Sequence, residues 1–283
     1  MKKLIVDGNH LARRCRYTAM SQLATSDGRR TGIIHGVMKG IRYAMRTANV
    51  LDNNVLVVWD GGRAPMRVAL YPEYKANRQQ PQTDVDKVEE TVFYEQIEQL
   101  QSILPAAGLK SVKYRYVEAD DVISVASFMT QDQVVIFSGD KDFHQLASSR
   151  ISFFDREKGL LSCDDILAFW EVPRVDMILQ MRVMIGDSVD NIHGVPRIGV
   201  KTALKIVLEG AGKWESTLKE YAGVIARNTI LMRLPRTIED SMVPYEFRDK
   251  VMLDLNTPTV GDLRKFAKYC AEFELQEVLH VWG

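Results

Sequence analysis

Four short apolar runs rich in β-branched residues set the strongest constraint on the fold of this 283-residue chain. They are Leu4–Val6, Val55–Trp59, Val112–Val117 (the one mixed with charges) and Val134–Phe137. Such runs read as buried strands. Between them lie segments with helical spacing. One is Ile33–Met45. Another places Val85, Val88, Val92, Phe93, Ile97, Leu100 and Leu104 mostly three and four apart, which makes one apolar stripe. Strands alternating with helices predict an α/β fold with a mostly parallel central sheet. Ile151–Phe154 adds a candidate edge strand. Past residue 172 the strand signal fades. Pro173 opens a helix ending near Ile185, and the pattern stays mostly helical to the end. The expected division is an α/β part at 1–172 and a helical part at 173–283.

Composition removes several other classes. The chain is 46% hydrophobic and 26% charged, ordinary for a soluble globular protein. No apolar run approaches the roughly 20 residues of a membrane span. The opening Met-Lys-Lys-Leu-Ile-Val reaches Asp7 too soon for a secretory leader. Cys15, Cys163 and Cys270 lie far apart and form neither a zinc pattern nor a disulfide framework, so a reducing, cytoplasmic setting is expected. The formal net charge is +0, but its layout is uneven: residues 1–50 hold ten Lys or Arg against two Asp, while 84–98 hold six acids against one Lys. A basic region of this kind faces either a polyanion or solvent.

Acids follow each strand-like run. Asp7 follows Val6, and Asp60 follows Trp59. Glu118, Asp120 and Asp121 follow Val117, and Asp140 and Asp142 come just after Phe137. In a parallel sheet the carboxyl ends of the strands share one edge, where ligands bind. Seven carboxylates from distant positions therefore converge. Each alone could be a helix cap; the same coincidence at four strand ends points to a shared cation. Oxygen ligands without His or Cys suit hard ions, Mg²⁺ or Mn²⁺. The number of acids suggests two ions, the apparatus of in-line phosphodiester cleavage. The five histidines show no ligand spacing.

The stretch Gly194-Val-Pro-Arg-Ile-Gly199-Val-Lys201-Thr202 nearly spells a nucleotide phosphate loop, but one residue too many separates Gly199 from Lys201. A phosphate loop should also follow a strand, whereas Asn191-Ile-His precedes this one. Gly199 instead stands before a helix-like run, Val200–Leu208. Glycines let a backbone approach an anion, and a helix start suits phosphate. Lys201 and Lys205, one turn apart, can reach the same anion.

Taken in order, "IVDGNHLARR", "VVWDGG", "YPEYKANR", "VEADDVIS", "FSGDKDFHQL" and "GDSVDNIHGVPRIGVKTA" closely resemble the 5′-nuclease family of phage 5′-exonucleases, flap endonucleases and the 5′-nuclease part of bacterial DNA polymerase I. The match runs over about 4–208. It implies a sheet core, a helical arch at about 61–104 and a helix–two-turn–helix motif at about 184–210. It implies a first metal cluster of Asp7, Asp60, Glu118, Asp120 and Asp121 and a second of Asp140, Asp142, Asp187 and Asp190. The last two face one way if their turn is helical. In the arch, Tyr74, Lys75 and Arg78 match the catalytic pattern. Lys75 and Arg78 share one face if the arch is helical, and can meet charge developing on the phosphate. Tyr71 or Tyr74 could stack on an unpaired base, or Tyr71 could pack at the arch foot. Arg14, Arg67, Gly194, Arg197, Gly199, Lys201, Thr202 and Lys205 are expected to contact DNA. Carbonyls of Ile192, Val195 and Ile198 are expected to hold a K⁺ ion. Arg197 stands where the family usually has Gly.

The resemblance thus implies a stand-alone, metal-dependent 5′-3′ exonuclease and flap endonuclease of replication or repair, working as a monomer on DNA with a 5′ single-stranded flap or end beside duplex, with RNA primers as a further candidate substrate. No membrane and no nucleoside triphosphate is expected. The alternative is a non-catalytic or RNA-directed binding protein on the same core.

Overall fold

The computed structural model describes residues 1–78 and 83–282. In chain order it contains β1 (Lys2–Asp7), α1 (Gly8–Arg16), α2 (Gly32–Ala48), β2 (Val55–Trp59), α3 (Pro65–Leu70), α4 (Asp84–Ala106), β3 (Lys110–Lys113), α5 (Ala119–Phe128), β4 (Gln133–Phe137), β5 (Ile151–Asp155), β6 (Gly159–Leu161) and α6 (Cys163–Trp170). Then come α7 (Asp176–Ile185), the two-residue strands β7 (Gly186–Asp187) and β8 (Ile192–His193), α8 (Val200–Leu208), α9 (Ala211–Glu220), α10 (Ala222–Met232), α11 (Tyr245–Asn256), α12 (Leu263–Glu272) and α13 (Gln276–Trp282).

The expected α/β fold with a mostly parallel sheet is present. Six strands run in the order β3-β2-β1-β4-β5-β6, parallel except for the β5–β6 pair. The strand order reverses between β1 and β4, so a crevice opens outside their carboxyl ends. Register keeps those ends level: Asp7 pairs with Val58, Val6 with Phe137, and Trp59 with Lys113.

Several element boundaries differ from expectation. The third strand ends at Lys113, not Val117, because Tyr114–Val117 turns to bond Gly61: Gly61 N donates to the Val117 carbonyl at 2.9 Å and Tyr116 N to that of Gly61 at 2.9 Å. A Cβ on Gly61 would sit 1.6 Å from the Tyr114 carbonyl oxygen, so this closure requires glycine. β5 is interior, since β6 adds an antiparallel edge. The helix expected from Pro173 begins at Asp176. The stripe of α4 buries Phe93, Ile97, Leu100 and Leu104, but Val85 and Val88 stay exposed.

One apolar cluster lies under α1, α2 and α4 and is closed by Phe266, Cys270 and Trp282 of α12 and α13. A second, on the other sheet face, joins α5 to Ile178, Ala203, Ile225 and Val251 from beyond residue 172. The uneven charge layout has an internal answer. Arg16 donates to Glu90 at 2.5 Å, Arg30 to Glu89 at 2.6 Å, and Arg13 stands 3.8 Å from Glu90. Part of the basic N-terminal segment thus faces the chain's own acidic helix. Among the described residues no helix is long and apolar enough to cross a membrane.

Candidate active site

Five of the seven strand-end acids converge on one cleft, and Asp121 and Asp142 do not line it. Asp7, Asp60, Glu118, Asp120 and Asp140 line one cleft of about 490 Å³, with Arg13, Lys75 and Arg78 on its walls. Caps and candidate ligands prove to be the same side chains. Asp7 accepts the His10 amide at 2.9 Å as the cap of α1, while its other oxygen accepts Ser138 Oγ at 3.0 Å. Asp140 accepts the Asp142 amide at 2.9 Å. His10 Nε2 accepts the Gly139 amide at 3.1 Å, a structural bond across the switch point.

Cations divide these carboxylates. Lys75 Nζ lies 2.8 Å from Glu118 Oε1 and 3.6 Å from Asp190 Oδ2. Arg78 lies 2.8 Å from Asp190. The two do converge, but through a turn and not along a helix face. Lys75 has φ 56°, and its amide donates to the Asp190 carbonyl at 2.8 Å. Asn191 Nδ2 donates to the Glu73 carbonyl at 2.8 Å, and Asn77 Nδ2 to that of Ser188 at 2.7 Å. Long-range bonds to residues 188–191 therefore override local helix formation. The expected helical turn at Asp187 and Asp190 is likewise absent: Asp187 Oδ1 accepts the amides of Val189 at 2.7 Å and Asp190 at 3.2 Å, a side-chain-closed turn. Of the expected arch, residues 79–82 lie outside the described residues.

Arg67, expected on DNA, is a correction. It is 2% exposed and serves the protein interior. Its guanidinium holds Asp121 through two bonds of 2.8 and 2.9 Å, and also pairs with Glu118. Tyr74 is corrected as a base-stacking residue: it is 3% exposed, and its hydroxyl donates to Glu118 at 3.0 Å. Tyr71 packs with Ile192 and Met232, under the Arg227 guanidinium. Arg182 went unrecognised in the sequence. It bridges Asp142 and Asp187, the latter at 2.9 Å. Its one signal is a charge between two buried residues, Met181 and Val183.

The electrostatics record unequal compensation. Burial, then Asp140, pushes the Asp142 carboxyl up to about 7. Burial and Asp140 also raise Asp120 well above the carboxylate range, and burial raises Asp7. Burial works to raise Glu118 too, but Arg67 and Lys75 outweigh it and hold that carboxyl low. A cation among these carboxylates would offset their mutual repulsion and favour their charged forms. Among the described residues no three His, Cys, Asp or Glu side chains stand together as a ready ion-binding set. Oxygens of Glu118, Asp142, Asp187 and Asp190 are instead turned to Lys75, Arg78, Arg67 and Arg182. An ion in the cleft competes with these partners, and the oxygen-only chemistry of the set fits Mg²⁺ or Mn²⁺.

Beside the cleft, α7 and α8 are joined by the β7–β8 ladder and a second turn. Gly194 is needed inside this hairpin, not toward solvent, since a Cβ there would meet the Ile185 carbonyl oxygen at 2.2 Å. Gly199 is the reverse: nothing lies within 4 Å of its missing side chain, and it caps α8 with no side-chain partner for the helix amides. Arg197, Lys201, Thr202 and Lys205 are exposed. Arg197 has φ 65°, the left-handed region that explains why glycine suits this position. The Val195 carbonyl, expected to turn outward, accepts the Ile198 amide at 3.2 Å, and the Ile192 side chain is buried. Arg14 pairs with Glu157 at 2.8 Å.

Residues 2–170 match the 5′-3′ exonuclease, N-terminal resolvase-like domain. The 5′-3′ exonuclease of Buchnera aphidicola subsp. Acyrthosiphon pisum is 30% identical over 281 residues, which is 96% of this chain and 94% of that protein. DNA polymerase I of Bacillus subtilis is 28% identical over 276 residues, 92% of this chain but 28% of the polymerase. Among solved structures, the bacteriophage T5 flap endonuclease, in a pseudo-enzyme–product complex with DNA and metal ions, has a TM-score of 0.72 at 23% identity, covering 90% of this chain and 98% of that one. The chain belongs to the 5′-3′ exonuclease family. Its enzyme class is nuclease, and its resemblance to the polymerase spans under a third of that protein's length.

Proposed function

We propose that the chain is a divalent-metal-dependent, structure-specific 5′-nuclease that cuts DNA where a 5′ single strand meets duplex. The observation that carries this is the acidic crevice at the sheet's switch point with Lys75 and Arg78 on its wall. Asp7, Asp60, Glu118, Asp120, Asp140, Asp142, Asp187 and Asp190 would hold two Mg²⁺ or Mn²⁺ ions. Such ions lower the pKa of a bound water and steady the leaving oxygen. Lys75 and Arg78 direct positive charge at the scissile phosphate, where negative charge builds. Tyr74 orients Glu118 from behind. The T5 flap endonuclease complex with DNA and metal ions supports this assignment.

The helical part, 173–283, grips duplex through a helix–two-turn–helix motif. The open start of α8 at Gly199, with Lys201, Thr202, Lys205 and Arg197, meets phosphates of one strand. Arg14 adds a contact nearer the crevice. A K⁺ ion at the carbonyls of Ile192, Val195 and Ile198 rests on the family resemblance alone. The protein acts as a cytoplasmic monomer without nucleoside triphosphate. Labelled flap DNA, blunt duplex DNA and RNA of one sequence, each offered with Mg²⁺, test the reading. Flap DNA should be cut fastest, next to the junction. Equal rates on all three, or cleavage of RNA alone, would refute it.

A further inference from the structure

Arg67 is one of the most buried charged residues among those described, at 2% exposure, and its hydrogen bonds reach Asp121, Glu118 and the Leu231 carbonyl. Both oxygens of Asp121 are occupied by its fork, at 2.8 and 2.9 Å. Its NH1 also reaches Glu118 Oε2, the oxygen that accepts the Tyr74 hydroxyl at 3.0 Å. Its Nε donates to the Leu231 carbonyl at 3.3 Å, at the end of α10. Arg67 itself lies in α3, at the foot of the arch. One guanidinium therefore ties together the arch foot, the start of α5 and the helical part. Asp121, fully buried, does not line the cleft, whereas its neighbour Asp120 does.

We propose that Arg67 is a built-in counter-ion of the first carboxylate cluster and a positioning residue for catalysis. It takes Asp121 out of the ligand set and leaves Glu118 only Oε1, which Lys75 holds at 2.8 Å, to turn toward an ion. Asp121 acts by orienting Arg67, and the ions are held without it. A rigid bidentate fork suits this task better than a lysine, which offers one point charge. The device also limits how much positive charge the crevice can take up, because one fixed cation already answers two of its carboxylates. This inference rests on the proposed metal-dependent reading.

The test is Mn²⁺ binding by calorimetry on the whole chain, without DNA and without turnover. Asp120→Asn should weaken binding by about tenfold or more, as loss of a direct ligand or its close partner does. Asp121→Asn should weaken binding clearly less than Asp120→Asn does. Arg67→Gln should bind Mn²⁺ more tightly, or bind one further ion, while cutting DNA more slowly. If Arg67→Gln does not fold, the double variant Arg67→Gln with Asp121→Asn removes both members of the pair, and should bind Mn²⁺ more tightly than Asp121→Asn alone because one cation no longer competes for Glu118. Asp121→Asn losing as much affinity as Asp120→Asn would overturn the proposal. So would wild-type affinity and stoichiometry in Arg67→Gln, or in the double variant relative to Asp121→Asn. A wild-type protein that binds no Mn²⁺ would instead bring down the metal-dependent reading beneath it.

Discussion

The strand-end crevice and the α8 hairpin both gather charge, but they treat it in opposite ways. In the crevice, the innermost charges are buried, Asp7, Glu118 and Lys75 among them, while Arg78 is exposed. Lys75 is 6% exposed and bonded to Glu118, and Arg182 bridges two acids. At the hairpin, Arg197 and Lys201 are exposed, and no ion pair involves Lys201 among the described residues. Burial makes each innermost charge in the crevice strong and fixed in place, which suits chemistry on one phosphate. Exposure leaves the hairpin cations screened and interchangeable, which suits a grip on a polyanion of any sequence. Changes in the crevice should therefore alter rates and stability, and changes at the hairpin should alter salt-dependent affinity.

Lys75→Ala should mark the largest difference. Its single-turnover cleavage rate should fall about 100-fold, with DNA affinity in Ca²⁺ nearly unchanged. An unchanged rate with a weaker Kd would move Lys75 to the hairpin's side of the comparison. The next effect belongs to Asp142. Its carboxyl sits near 7 against an ordinary 3.8, so the fold favours the neutral form. That stability is complete below about pH 4 and is lost as pH rises through 7. In chelator, the stability gap between Asp142→Asn and the unaltered protein should therefore shift by about 2 kcal/mol in favour of the variant between pH 5 and pH 8. Parallel pH profiles from thermal melts would show that Arg182 neutralises Asp142 fully.

Lys201→Ala should lower duplex affinity for all sequences and make the log–log salt slope shallower by about one. An unchanged slope would mean that the exposed hairpin is only a connection between helices. Arg197→Gly should be the mildest change. Relief of the left-handed strain, about 1 kcal/mol, is nearly offset by the freedom glycine brings to the unfolded chain. A melting temperature within a few degrees of the original is expected. A large drop would show that the Arg197 side chain packs on its neighbours, Tyr221 among them.

The crevice was legible wherever its parts are local. An apolar run followed at once by acid announces both a strand and what stands at its end, and Asp7, Asp60, Asp120 and Asp140 all line the cleft. Partners brought from a distance were not legible. Arg67 and Arg182 are common residues in ordinary helical surroundings, and only tertiary packing shows which acids they face. The turn at Lys75 was not legible for the same reason, since its amide is claimed by Asp190, far along the chain. Gly194 and Gly199 looked alike as loop glycines, yet one closes a hairpin against Ile185 and the other faces open space. Spacing alone does not carry that distinction.

The most direct test of the account is product mapping on a 5′-labelled flap DNA, with Mg²⁺ and then with excess chelator. One principal cut beside the junction, a 5′-phosphate on the downstream product and no cleavage in chelator are expected. Cleavage that survives the chelator, or intact flap at saturating Mg²⁺, would contradict the claim that these converging carboxylates form a metal-dependent phosphodiester-cutting site.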